Sequence, residues 1–406
     1  MKCRACGADR FGLILDLGFT PPADGFLSAA QLDAPEATFP LRLCRCVECG
    51  FLQLDHVVSP ELLYQSDYPY ESSITQTGLI HWRGMAERIV TRFGLGEKDL
   101  AVDIGSNVGV LLRAFQERGL RVQGVDPAPN IVEIAVKGGI DTECAFFGRD
   151  AVEKILSAKG KARVVTGTNV FAHVDDLNSL VDAVQALLTD DGVFVIEAPH
   201  ACTLLEHLEY DTIYHEHLSY ISLTPLVSFF ARHNMSIIDV EQQKIHGGSL
   251  RIYVGKGKHA PSANVSALLE RESVALAPDG ELLTTFASRV EANRQSLSWL
   301  LHSLKHEGKR LVGVSAPAKG MTLLNYCGIG RNLLDFVTEK STLKVGRFTP
   351  GGHIPVVPDA ALMEQRPDYA LLLAWNFADE IMKNLESYRQ AGGRFIVPIP
   401  EPRIVS

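Results

Sequence analysis

The chain of 406 residues is 46% hydrophobic and 21% charged, an ordinary globular composition with room for two or three domains. Its 39 basic and 48 acidic residues leave a formal charge of -9, so no overall field favours polyanions and nucleic acid is not expected as a partner. The start "MKCRACGADRF" has no apolar segment behind its basic residues, and no run of about 18 apolar residues follows, so a soluble, cytoplasmic protein without membrane contact is expected.

Eight cysteines are present, five of them in the first fifty residues, a clustering that suits reduced thiols and a metal better than a disulfide framework. Residues 1–75 read as a small metal-stapled module. Its pairs Cys3-x-x-Cys6 and Cys46-x-x-Cys49 supply the four thiolates of a tetrahedral, structural zinc site. Cys44 offers another pairing, but a C-x-C pair places both sulfurs on one ion less often, so Cys44 is read as a non-ligand.

From about residue 78 a helical pattern leads into "DLAVDIGSNVGVLLRAFQERGLRVQGVDPAPN", which reads as strand, glycine loop, helix, strand and acidic turn. The apolar runs "ARVVTGTNV", "GVFVIEAP" and "SLRIYVGKG" continue the sheet, giving a central doubly wound α/β domain over 76–262. Residues 263–406 begin with a long helical, polar stretch. They then carry the strands "RLVGVSA", "LDFVTE", "YALLLAW" and "RFIVPIP", a second Rossmann-like α/β pattern.

"DIGSNVG" lacks the G-x-G-x-x-G spacing that seats a dinucleotide pyrophosphate. Asp103, Gly105, Asn107 and Gly109 instead form the acid-x-Gly-x-x-x-Gly pattern that suits S-adenosylmethionine: glycines admit the amino-acid end and an acid reaches its ammonium. Asp126, at the end of the second strand, is placed to accept from ribose hydroxyls, and Thr168, Asn169 and Val170 after a later strand complete the expected pocket. The densest polar segment is "DTIYHEHLSY", on the ligand side of that sheet. Three readings stand for it: a metal pair at His215 and His217, a hydrogen-bonded polar loop, or a histidine base with a carboxylate and phenols around an oxyanion.

The blocks "CRAC" with "CVECGFLQL", "YPYESS", "DIGSNVGVLL", "DTIYHEHLSYIS" and "PAKGMTLLNYCGI" with "KVGRFTPGGHIPV" occur in the order found in a known family. Along nearly its whole length the chain resembles the zinc-containing nucleotide-sugar C-methyltransferases, which methylate a ring carbon, typically C-3, of keto-deoxysugars. The resemblance implies a zinc module, an S-adenosylmethionine-dependent domain and a C-terminal domain that helps hold a nucleotide sugar, TDP-linked by expectation, in a chain acting as a monomer. It also implies that His217 is the base, that Tyr214 and Glu216 assist it, and that Tyr70 or Tyr68 and His173 line the site. Two departures stand out: Val108 where the family carries an acid, and Pro317, which removes an amide donor from the C-terminal loop. If that loop opens a helix, Lys319 and the amides of Gly320 and Met321 are placed to meet a diphosphate. The alternatives are an O- or N-methyltransferase acting on another nucleotide-linked acceptor, and a non-catalytic relative that binds a nucleotide sugar.

Overall fold

The computed structural model describes residues 1–65, 69, 76–244 and 247–406, in three sheets. The first forms around β1 (Phe11–Thr20), β2 (Phe39–Cys46) and β3 (Leu52–Leu54), paired antiparallel in that order. Each Cys-x-x-Cys is a tight knuckle closed by the glycine that follows it. Gly7 and Gly50 adopt φ of 81° and 79°, and their amides donate to the carbonyls of Cys3 and Cys46 at 2.8 and 3.0 Å. That left-handed conformation is one that glycine takes without penalty.

The central sheet contains β4 (Leu100–Ile104), β5 (Arg121–Asp126), β6 (Thr142–Cys144), β7 (Ala162–Thr168) and β8 (Leu188–Pro199), all parallel. The chain then leaves this sheet, because β9 (Ser219–Tyr220), the tail of the dense polar segment, pairs with β3 of the zinc module. It returns as β10 (Met235–Gln243) and β11 (Ser249–Lys256), and the order is β10-β11-β8-β7-β4-β5-β6 with β11 antiparallel to both neighbours. β4 is buried at every position, as expected of a strand covered on both faces.

The C-terminal sheet has the order β14-β13-β12-β15-β16-β17, formed by Val356–Pro358, Val337–Glu339, Leu311–Val314, Tyr369–Leu372, Arg394–Val397 and Arg403–Val405 respectively. Only its last strand is antiparallel. This is the doubly wound order in which ligands sit where the strand sequence reverses, here between β12 and β15.

The helix that follows the expected division at residue 262 packs against the central sheet. Val265 and Leu268 of the helix Ala263–Ala275 are buried in the core of the central sheet, and Glu272 accepts the amides of Leu223 and Thr224 at 2.7 and 2.8 Å. The helix Phe286–His306 instead shares one core with β1, β2, the dense segment and the C-terminal sheet. Among the described residues no helix is long and apolar enough to cross a membrane.

Candidate active site

The carboxyl ends of β4 and β7 and those of β12 and β15 open onto one cavity of about 580 Å³, lined by all three units. On its central-domain wall lie Asp103, Gly105, Asn107, Asp126, Thr168 and Asn169. Gly105 has φ 62°, and a Cβ there would stand 2.4 Å from Val170 Cγ2, so the loop can cross the strand ends only as glycine. Gly109 does not line the cavity; it lets the loop pack on Ile140. Val108 also lies off this wall, so the departure from an acid falls outside the cavity.

Asp126 accepts the amides of Asn107 and Ala128 at 2.9 and 3.0 Å, and burial raises its pKa. Asp103 accepts from Thr166 Oγ1 at 2.5 Å, and burial pushes its carboxyl up to about 7. Ser106 Oγ and Asn169 Oδ1 are buried without a partner among the described residues. A glycine cradle, an acid at the end of the second strand and two orphaned polar atoms fit the amino-acid and ribose ends of S-adenosylmethionine.

The four sulfurs of Cys3, Cys6, Cys46 and Cys49 lie within 4.8 Å of one another, with Cys3 to Cys49 and Cys6 to Cys46 both at 3.6 Å. Thiolates about 2.3 Å from a tetrahedral zinc stand roughly 3.8 Å apart, so the cluster fits the ion. Cys44 is outside the cluster, and burial pushes its thiol up to about 11. Arg4, between the first two cysteines, reaches from the module to the dense segment. Its guanidinium donates to the carbonyls of Leu54 and Leu218 at 2.9 and 3.1 Å and to Asp175 at 2.8 Å.

The dense segment puts Thr212, Tyr214, Glu216 and His217 on the cavity wall. His217 Nδ1 donates to the Thr212 carbonyl at 2.8 Å, which leaves the lone pair of the neutral ring on Nε2, and Tyr214 Oη donates to Nε2 at 2.7 Å. His173 is 5.0 Å away, centroid to centroid, and burial lowers it to about 4, so it is a neutral imidazole near pH 7. Burial, then the charge of Asp24, pushes Glu216 up to about 8; its Oε2 has no partner among the described residues. His215 turns away, with Nε2 3.3 Å from the Phe39 carbonyl, and the cysteine cluster alone has metal-ligand geometry among the described residues. Among the described residues, His215 and His217 belong to no group of three or more candidate metal ligands, and nothing here favours the metal-pair reading.

Tyr68 and Tyr70 lie outside the described residues. The module contributes Tyr64, whose Oη is 3.3 Å from His173 Nδ1, and Asp24, which pairs with Lys344 at 3.2 Å. Lys319 lines the cavity, but its ammonium is 3.7 Å from buried Asp211 and 4.1 Å from the centre of the Trp375 ring. Trp375 Nε1 also donates to Asp211 at 2.6 Å. The amides of Gly320 and Met321 do not face an anion: both donate to the Pro317 carbonyl, and Gly320 serves the close approach of its helix to Leu373. Tyr64, Asp24, Asp211, Lys344 and Trp375 were not among the residues expected from sequence. Asp211 opens the dense segment and Trp375 follows an apolar run, the signals that could have marked them.

Family models match in three consecutive blocks: a zinc binding domain over 3–64, a methyltransferase domain over 80–240 and a C-methyltransferase C-terminal domain over 244–400. The chain is 37% identical over 407 aligned residues to C-methyltransferase NovU of Streptomyces niveus, covering 100% of this chain and 97% of that one. The chain belongs to the C-methyltransferase family. This methyltransferase also shares 31% identity over 124 residues with a ubiquinone biosynthesis O-methyltransferase of Methylobacterium sp. (strain 4-46), covering 29% of this chain and 49% of that one. Among solved structures, an S-adenosylmethionine-dependent methyltransferase from Clostridium acetobutylicum aligns at 14% identity with a TM-score of 0.36, over 44% of this chain and 92% of that one. The enzyme uses S-adenosylmethionine and its N-terminal cysteines form a zinc-binding module.

Proposed function

We propose that the enzyme methylates C-3 of a TDP-linked 4-keto-deoxysugar through an enolate, with His217 as the base. The observation that carries this reading is the Nδ1 contact of His217 with the Thr212 carbonyl, which presents a basic Nε2 to the cavity that also holds the cofactor loop. A C-methyltransferase needs a carbon nucleophile, and a C–H beside a ketone is one that a neutral imidazole can deprotonate. The C-3 proton goes to Nε2 while the bond pair moves into the C-4 carbonyl, leaving negative charge on its oxygen. As Nε2 takes that proton, the Tyr214 hydroxyl turns from it towards the enolate oxygen. Glu216, neutral below about 8, is a second donor from the same loop. Each such donor is worth roughly 3 kcal/mol of barrier. S-adenosylmethionine, when bound, supplies the electrophilic methyl group that the carbon takes, with release of S-adenosylhomocysteine.

The test is exchange of the substrate's C-3 proton in deuterated water with S-adenosylhomocysteine bound. The native enzyme exchanges it; His217→Ala loses exchange and methyl transfer but still binds both ligands, and Tyr214→Phe retains measurable activity. Methyl transfer without exchange by the native enzyme would favour O- or N-methylation. An active His217→Ala beside a dead Tyr214→Phe would assign the base to the tyrosine.

A further inference from the structure

The two doubly wound sheets end their second strands in the same way. In the central sheet, Asp126 closes β5, accepting one amide from the loop after the first strand, Asn107 at 2.9 Å, and one from two residues ahead, Ala128 at 3.0 Å. In the C-terminal sheet, Glu339 closes β13 and repeats both contacts. Its Oε2 accepts the amide of Ala316, in the loop after β12, at 2.7 Å, and its Oε1 accepts the amide of Ser341, two residues ahead, at 3.0 Å, with Lys340 N at 2.7 Å. Each first-strand loop also holds a non-glycine residue in the left-handed region, Asn107 at φ 50° and Ser315 at φ 68°. Such strain persists where surrounding contacts fix it, and it concentrates at ligand sites.

Both carboxylates line the same cavity, from opposite sheets. A carboxylate oxygen has two lone pairs, so Glu339 Oε2, with one amide bound, can accept a further hydrogen bond. In doubly wound sheets an acid at this place bonds the ribose hydroxyls of a nucleotide. We infer that Glu339 accepts a hydrogen bond from the sugar hydroxyl of a nucleoside diphosphate, the counterpart for the second substrate of Asp126 for the cofactor. Lys340, exposed and on the same wall, adds a cation beside this carboxylate. The inference rests on the sugar-nucleotide reading and adds to it the residue that takes the nucleoside's sugar hydroxyl.

Calorimetry on the whole enzyme tests it with thymidine diphosphate, 3'-deoxythymidine diphosphate and S-adenosylhomocysteine, using native protein, Glu339→Ala and Glu339→Gln. Loss of the 3'-hydroxyl should weaken binding to native enzyme by on the order of tenfold to a hundredfold, the range for hydrogen bonds to charged groups. Glu339→Ala should bind both nucleotides alike, with S-adenosylhomocysteine unaffected. Should that variant fail to fold, Glu339→Gln, which keeps one acceptor for the loop amides, should still narrow the gap between the nucleotides. Equal affinity of the native enzyme for both nucleotides, or a full gap in the variants, would overturn the role of Glu339 and leave the substrate reading intact. Native enzyme that binds S-adenosylhomocysteine but no thymidine diphosphate would overturn the substrate reading itself, and the inference with it.

Discussion

Replacing Arg4 with Met tests whether the zinc module holds the segment that carries His217 in place. The change keeps the apolar stem and removes the guanidinium, which is 8% exposed as a residue and donates to the carbonyls of Leu54 and Leu218 and to Asp175. The three contacts are not worth the same. Asp175 is 57% exposed in its side chain, so that ion pair contributes at most about 1 kcal/mol. The Leu218 carbonyl keeps a second donor, the amide of Leu54 at 3.0 Å, so its loss is roughly 1 kcal/mol. The Leu54 carbonyl loses a charged donor, which costs about 1.5–3 kcal/mol. Together the variant should lose about 2.5–5 kcal/mol of stability, of which only the Leu218 and Asp175 contacts, roughly 1–2 kcal/mol, act between the module and the central domain. Leu218 directly follows His217, so methyl transfer should fall while zinc content and S-adenosylhomocysteine affinity stay native. Urea denaturation followed by zinc release, with calorimetry and a methyl-transfer assay, measures all of these. Arg4→Met with native stability and native turnover would refute the view that this arginine locks the module to the segment that carries the proposed base.

Three further outcomes are expected. Metal analysis should give one zinc per chain, kept in Cys44→Ser and lost in Cys46→Ser, because only the latter removes a sulfur from the cluster; two zincs per chain would contradict the single site. Asp126→Ala should weaken S-adenosylhomocysteine by more than about tenfold, since two loop amides and a ribose acceptor go together, while leaving thymidine diphosphate unchanged; equal loss of both would make Asp126 structural. Glu216 has its pKa raised from 4.5 to about 8, so its neutral form and the stability it contributes persist at low pH and are lost as pH rises through about 8. Activity should therefore decline on the alkaline side near that value, and Glu216→Gln, a donor at every pH, should lack that decline; a limb that persists in the variant would assign it to another group.

The elements that repeat a strong local rule were legible in the sequence. The two Cys-x-x-Cys pairs, the glycine loop with Asp126, and the apolar strands of both sheets all carry their signal within a few residues. β10 was missed because "SIIDVEQQ" is an edge strand with a polar end, and β14 and β17 because each is three residues long. The site's remaining members were hidden for a different reason. Asp24, Tyr64, Lys344 and Trp375 reach the site only across unit boundaries, pairing with one another or with His173 and Asp211, and no sequence spacing records contacts between residues more than a hundred positions apart. The packing of the helix Ala263–Ala275 against the central sheet was not legible, because a polar helix is alike on either side of a boundary until its few buried residues are seen.

The same geometry explains why a methyltransferase carries a metal that does no chemistry. A zinc bound by four thiolates has no open position for a substrate or water, so its contribution is to folding. The module needs it, because a unit of this size buries too little apolar surface to be stable alone. One end is fastened by the ion. The other is covered by its neighbours, since Leu15, Leu17, Leu41 and Leu43 share a core with the helix Phe286–His306 and with Tyr210, Ile213 and Leu218 of the segment that carries His217. The pairing of Gln53 with Ser219 and Leu52 with Tyr220 extends that dependence to the backbone two residues from His217. Ahead of His217, the turn Tyr210–Thr212 is held from the C-terminal side through Asp211, Lys319 and Trp375. The histidine thus lies between two anchors from different units, and its Nδ1 contact with the Thr212 carbonyl spans the chain between them.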